Sequence, residues 1–260
     1  MNNRIVENIT VIVVSISIIS TLSFANTKVS ELIDIAGTQR MLSQRIAKDY
    51  LYIGKKIAIS KATRQLKKSM DDFLSAHKKL SLSINDPEIK NLLDFVELSS
   101  NDFNDIASKK FSRDNAQLIL DLSESMLEGS EYVFDSLQSS FKIKGSKIID
   151  KSAKQRMLSQ RIAKYYISYQ SGIKDKNSVD MMKETVKQFT ENLDILMKNG
   201  KNTPQINSKL AEINKLWKIV HKFYNNIEKG GLPLIVFNTT DNITKKMDEI
   251  TKLYLLSTKK

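Results

Sequence analysis

The side chains with the most chemistry per position lie in a ten-residue run that occurs twice, QRMLSQRIAK at Gln39–Lys48 and again at Gln155–Lys164. Guanidinium groups present parallel N–H donors that match planar oxyanions, and amide and hydroxyl groups can complete such a site. On a helix, Ile33, Ala36, Arg40, Gln44, Ala47 and Leu51 form one stripe at three- and four-residue spacing. The second copy repeats it as Ile149, Ser152, Arg156, Gln160, Ala163 and Ile167. Such a stripe of small and apolar residues suits close helix–helix approach, and an arginine sits at the centre of each. No Asp or Glu lies on either stripe at that level. If the two helices pair, Arg40 and Arg156 confront each other and require a negative group between them. One reading is a small planar anion held by both arginines, with Gln44, Gln160, Ser43 and Ser159 adding polar contacts. The other is that each arginine reaches the backbone or a carboxylate of its own bundle. Arg45 and Arg161 project elsewhere, in the first copy toward Asp34 and Asp49, as surface or buttressing residues.

Other constellations give no catalytic or metal site. His77 and His221 are the only histidines, are not equivalent under the repeat, and lack a second ligand at convincing spacing. Asp71-Asp72 and the Asp102/Asp105 pair read as helix-surface carboxylates. Phe73, Phe95, Trp217 and Phe223 fall at helical spacing and are expected in the core. There is no Gly-rich phosphate loop, nucleophile elbow or metal-hydrolase helix, and there are no cysteines. A non-enzymatic protein without a cofactor is expected.

The elements that must position the decapeptides are helices. Eight glycines and three prolines in 260 residues leave long amphipathic stretches uninterrupted. The duplication runs beyond the decapeptide: 116 positions separate Ile33-Asp34 from Ile149-Asp150, Phe73 from Phe189 and Leu80 from Leu196, and one position more separates Pro87 from Pro204 and Leu93 from Leu210. A repeat of this length is a small domain rather than a solenoid unit. Each module reads as four helices, Val29–Ile59, Lys61–Ser83, Pro87–Phe111 and Asp114–Lys142, then Lys144–Gly172, Asn177–Asn199, Pro204–Glu228 and Pro233–Leu256. Asn85-Asp86-Pro87 supplies a stop, a cap and a first-turn proline. Gly172, Gly200 and Gly230-Gly231 fall at helix ends, where a left-handed residue suits glycine. The expected fold is all-α, two tandem antiparallel four-helix bundles spanning 26–143 and 144–260. With a short link near Ser140–Ser146, the first helix of the second module starts at the pole where the first module began. The two decapeptides can then lie parallel at equal height.

The N-terminus sets the compartment. Arg4 precedes an apolar stretch, Ile9 to Leu22, that ends in Ser23-Phe24-Ala25 with small residues at the two positions a signal peptidase reads. This predicts a signal peptide over 1–25 and a periplasmic protein, with an uncleaved anchor as the alternative. The net charge of +12 is scattered among Asp and Glu with no long basic tract. That distribution and export argue against a nucleic-acid partner, while a positive potential gathers small anions.

The run Ile35-Ala36-Gly37-Thr38-Gln39-Arg40-Met41-Leu42-Ser43-Gln44-Arg45 resembles the signature of the type IV pilus methyl-accepting chemotaxis transducer N-terminal (PilJ-type) domain. That family is similar to the periplasmic sensor domain of nitrate/nitrite-responsive histidine kinases, four-helix bundles that dimerise through their first helices. In those sensors the first arginine of the motif, from each of two subunits, holds one nitrate. The matching positions here are Arg40 and Arg156, with Ala36 and Gly37 as the small residues beside them. In the second copy Lys151-Ser152-Ala153-Lys154 replaces Ile35-Ala36-Gly37-Thr38, so the small residues are only partly kept. The resemblance implies a periplasmic sensory protein for nitrate or nitrite that reports to a membrane sensor kinase or chemoreceptor, with a homodimer possible. The same resemblance also allows a protein-interaction module without a small ligand.

Overall fold

The computed structural model describes the backbone of residues 3–141 and 146–257 and the side chains of residues 29–140 and 147–257. The side chains of the leader expected over 1–25, with its cleavage site, and the link at 142–145 therefore lie outside the described residues. Among the described residues there are eight α-helices and no strands: α1 (Asn3–Gly54), α2 (Ile59–Ser83), α3 (Pro87–Ala107), α4 (Arg113–Phe141), α5 (Ser146–Gln170), α6 (Lys176–Met197), α7 (Pro204–Tyr224) and α8 (Pro233–Ser257). A single 3-10 turn, Ile227–Lys229, precedes α8. Among residues 29–140 and 147–257, no helical segment is long and apolar enough to cross a membrane.

Local chemistry accounts for the breaks. Asp86 caps α3 by accepting from the backbone N–H of Glu88 and Ile89 at 2.9 and 3.1 Å, with Pro87 in the first turn. Thr203 and Pro204 repeat the arrangement at α7, and Asp175 caps α6. Gly172 adopts φ 96° after α5, as the sequence implies, whereas Gly200 does not adopt a positive φ. The first helix ends five residues before the expected Ile59. Phe111, from the α3–α4 connection, lies so close to Gly54 that a Cβ there would sit 2.0 Å from the ring. The chain then turns through Lys56 and Ala58, both left-handed at φ 60° and 50°.

α1–α4 and α5–α8 form two four-helix bundles, and α1 packs along α5 where they meet. This contact changes the character of both helices. A surface helix buries one stripe, but from Met41 to Leu51 all residues except Arg45 are buried, and from Ala153 to Ser168 all except Lys154 and Arg161. The stripe carrying Arg40 and the stripe carrying Leu42 and Ile46 are both inside. One continuous apolar core consequently runs through both bundles. Phe73 and Trp217 belong to it, but Phe95 and Phe223 are 47 and 45% exposed, a departure from the sequence expectation.

The decapeptides lie parallel and level. A Cβ on Gly37 would meet the Cβ of its own repeat counterpart, Ala153, at 3.3 Å and Arg156 Nη2 at 3.0 Å. The pseudo-two-fold axis of the duplication thus passes beside Gly37, where the backbones come closest. Overpacking at such a point costs about 1–3 kcal/mol. Gly37→Leu is expected to lower the urea unfolding midpoint by that much, and Gly37→Ala by less. An unchanged midpoint in Gly37→Leu would show that the helices are not held this tightly.

Candidate functional site

The site is built from the centre of α1 and α5 outward. Arg40 and Arg156 are each 1% exposed, so their charges depend on partners inside the protein. Those partners are carboxylates, and they are exchanged between modules. Arg40 Nη2 donates to Asp150 Oδ1 of α5 at 3.0 Å, and Arg156 Nη2 donates to Asp34 Oδ1 of α1 at 3.0 Å. Asp34 and Asp150 are themselves repeat counterparts, so the two bonds are one interaction seen twice about the axis. Each arginine also turns to the fourth helix of its own bundle. Arg40 lies 3.9 Å from Glu131 and its guanidinium stacks 3.7 Å above the Phe134 ring. Arg156 Nη1 donates to Asp248 at 2.6 Å and more weakly to the Thr38 hydroxyl at 3.4 Å. The position matching Thr38 is Lys154, which sits 3.4 Å from Glu131 and shares that carboxylate with Arg40.

The remaining residues of the expected set are occupied as well. Ser43 and Ser159 each donate to the carbonyl one turn back, of Arg40 and Arg156, at 2.8 Å. Gln44 Nε2 donates to the Ser123 carbonyl at 2.9 Å, and Gln160 Nε2 to the Thr244 hydroxyl at 2.6 Å. Ala36 is fully buried and Gly37 is at the close approach. The structure therefore brings Arg40, Arg156, Ala36 and Gly37 to one seam, and turns Gln44, Gln160, Ser43 and Ser159 into their own bundles. The Nε atoms of Arg40 and Arg156 are buried without a partner.

Sequence reasoning missed the acids. They stand outside the arginine stripes: Asp34 and Asp150 lie six residues before each arginine, and Glu131 and Asp248 come from α4 and α8. A signal was present. Glu124 and Glu131 on α4, and Asp241 and Asp248 on α8, are seven apart, hence on one helix face, and match across the repeat.

The second basic level uses the outer pair of these acids. Lys48 and Lys164, the last residues of the decapeptides, are fully buried. Lys48 Nζ of α1 reaches Asp241 of α8 at 2.7 Å and the Gln65 amide oxygen at 3.1 Å. Lys164 of α5 pairs with Glu124 of α4 and donates to the Ser123 hydroxyl at 3.0 Å. Arg161 joins Glu124 with its Nε at 3.2 Å rather than projecting away. Every decapeptide cation except Arg45 thus ends on a carboxylate of the other module, with Arg40 and Arg156 adding one of their own. His77 and His221 take structural partners, His77 beside Glu97 and Ser81 and His221 Nδ1 against the Trp217 carbonyl.

With this geometry in place, the comparison with known proteins is specific. The family model described as "Type IV pili methyl-accepting chemotaxis transducer N-term" matches residues 21–96 and 139–236, more than half of the chain. The chain belongs to this family. The transducer N-terminal domain is present twice in tandem, and each match contains one decapeptide. It is a sensory and signalling domain rather than a catalytic one. No curated protein and no solved structure matches the chain.

The electrostatics of this transducer domain pair have a sign that can be measured. Burial acts to raise the Glu124 and Asp241 carboxyls, but Lys164 and Arg161 outweigh it at Glu124 and Lys48 at Asp241, holding both at about 2. Asp49 is the opposite case. It is fully buried, its oxygens accept no hydrogen bond, and Lys48 stands 3.3 Å away without the alignment of one. Burial, with Asp241 beside it, lifts Asp49 to about 7 against the opposing pull of Lys48 and Arg45. Depressed carboxyls stabilise the fold above their ordinary range and lose that contribution as pH falls toward 2. A raised carboxyl does the reverse. The folded chain keeps the Asp49 proton while the unfolded chain loses it near 3.8, so stability declines as pH rises from about 4 to 7. Urea unfolding is expected to show greatest stability between about pH 4 and 5. Asp49→Asn should abolish the decline between pH 5 and 8, worth up to about 3 kcal/mol, and exceed the native protein at pH 8. A decline that persists in Asp49→Asn would locate its cause elsewhere.

Proposed function

We propose that the chain is an extracytoplasmic sensory and interaction module of a chemotaxis-type signalling system. In this reading a signal peptide over 1–25 precedes two modules, 26–143 and 144–260, whose α1–α5 seam is the element that changes when a signal arrives. The observation that carries it is the reciprocal Arg40–Asp150 and Arg156–Asp34 pair. Both guanidiniums are neutralised by the protein's own carboxylates, so the seam is complete without an added anion. Interfaces tied by discrete ion pairs have alternative arrangements in which the pairs exchange, which suits a signalling element. The partner would be a membrane sensor kinase or chemoreceptor. A seam filled within one chain leaves no need for a second subunit there, so sedimentation should give a monomer.

A second reading rests on a separate observation, the two buried Nε–H groups of Arg40 and Arg156 that have no acceptor. A nitrate or nitrite ion could take these donors by displacing Asp34 and Asp150 from the guanidinium forks. Calorimetric titration with nitrate and nitrite separates the readings. The first expects no saturable heat from the native protein or from Asp34→Asn and Asp150→Asn. The second expects binding that is lost in Arg40→Ala and Arg156→Ala and strengthened in the Asp→Asn variants, where the competing carboxylate is gone. That pattern would overturn the first reading.

A further inference from the structure

Duplication supplies an internal control for the outer face of the first module. Arg45 and its counterpart Arg161 carry the same side chain in the same decapeptide, yet their surroundings differ. Arg161 is engaged by Glu124. Arg45 has no carboxylate at ion-pair distance, because the acid that matches Glu124, Asp241, is already taken by Lys48, by Lys61 at 3.1 Å and by Gln65 at 3.3 Å. The buried Nε of Arg45 has no acceptor.

Arg45 lies in a groove of about 380 Å³ between α1 and α2, lined also by Lys61, Arg64, Gln65, Lys68, Ser69 and the carboxylate of Asp72. Lys68 is balanced by Asp72 at 2.9 Å and Lys61 by Asp241, while Arg64 is exposed and, like Arg45, has no paired acid. Ser69 is 2% exposed. At the matching positions the second module has Asn177 for Lys61, Asp180 for Arg64 and Glu184 for Lys68. Thr185, matching Ser69, is satisfied by the Met181 carbonyl at 2.6 Å. The helical surface is the same and its charge is reversed. The helix itself does not require the basic version, since the second copy forms it with acids at two of these three positions.

We infer that this α1–α2 groove is an anion-binding site distinct from the Arg40/Arg156 seam, suited to a phosphate dianion, either free or as the head of a phosphomonoester. Arg45, whose charge is offset only through space by Asp49 and Asp241, and the unpaired Arg64 lie on different helices and suit a doubly charged ion with oxygens on several faces better than a planar monoanion. The Ser69 hydroxyl, which lines the same groove, provides a neutral donor. Lys61 and Lys68 flank it and raise the local anion concentration. The groove is larger than one phosphate ion, which leaves room for an organic ester.

Calorimetric titration of the full chain with inorganic phosphate and with glycerol phosphate tests this. Saturable binding of either is expected, weakened by about tenfold or more in Arg64→Glu, the scale of one charge-assisted contact. Arg64 is exposed, so thermal unfolding should be unchanged in that variant. Equal affinity for both ligands identifies the phosphate group alone as the recognised feature, and tighter glycerol phosphate identifies an ester. Asp34→Asn, which alters only the seam, should leave the phosphate affinity as it is, so this site and the seam can fail separately. The inference is overturned if neither ligand saturates, if Arg64→Glu binds as the native protein does, or if reversing the exposed Lys218 on α7 weakens binding equally.

Discussion

Everything in this structure depends on where two buried guanidiniums find negative charge. Arginine at 1% exposure carries a desolvation penalty of several kcal/mol unless its fork is filled. The fold fills it by exchange, with Asp150 serving Arg40 and Asp34 serving Arg156. Asp248 and Glu131 of the arginines' own bundles contribute as well, and the exchanged acids add a tie between the bundles. Each must stand beside the other, parallel and in register to within one side chain. Gly37 and Ala153 make that register possible, since bulkier residues would hold the helices apart and the guanidiniums away from their acids.

This geometry gives a physical reason for ten identical residues in repeats that have otherwise diverged. A decapeptide that packs against its own copy about a pseudo-two-fold axis faces the same environment twice. Gln44 and Gln160 turn to the fourth helix of their bundles, and Lys48 and Lys164 reach the fourth helix of the opposite one. The acids they meet, Glu124 with Glu131 and Asp241 with Asp248, are duplicated at the same heptad spacing. Loss of a paired cation from one decapeptide would take a partner from a partly buried acid on the opposite module. The identity is therefore a requirement of mutual packing as well as of any ligand chemistry.

Much of the fold was readable because its breaks are chemical. Asp86-Pro87 and Thr203-Pro204 announce helix starts through capping groups, and the short link between modules dictates that α1 and α5 run parallel. The seam around Arg40 was readable from spacing alone. Its compensation was not, because periodicity reports which residues share a face of one helix and says nothing about the level at which a neighbouring helix presents its own. Asp34 sits off the arginine stripe of its own helix and becomes a partner only to the helix beside it. Phe95 and Phe223 failed for a related reason. Helical spacing places a ring on a face, but whether another helix covers that face is a property of the assembly.

The positions just outside the decapeptide show what symmetry did not constrain. Asp49 answers to Tyr165, Thr38 to Lys154, and the basic face of α2 to an acidic face on α6. All three differences lie outside the decapeptides themselves. Lys154 draws on Glu131 and leaves Arg40 with a long contact where Arg156 has a short one. Asp49 adds a proton-sensitive carboxyl next to Lys48 that Tyr165 cannot supply beside Lys164. The duplicated core fixes the two modules together, and the unequal rims give each half a separate electrostatic character. In the proposed sensory role that division would be functional: the symmetric clasp would hold the modules in register, and the asymmetric surface would decide what can bias it.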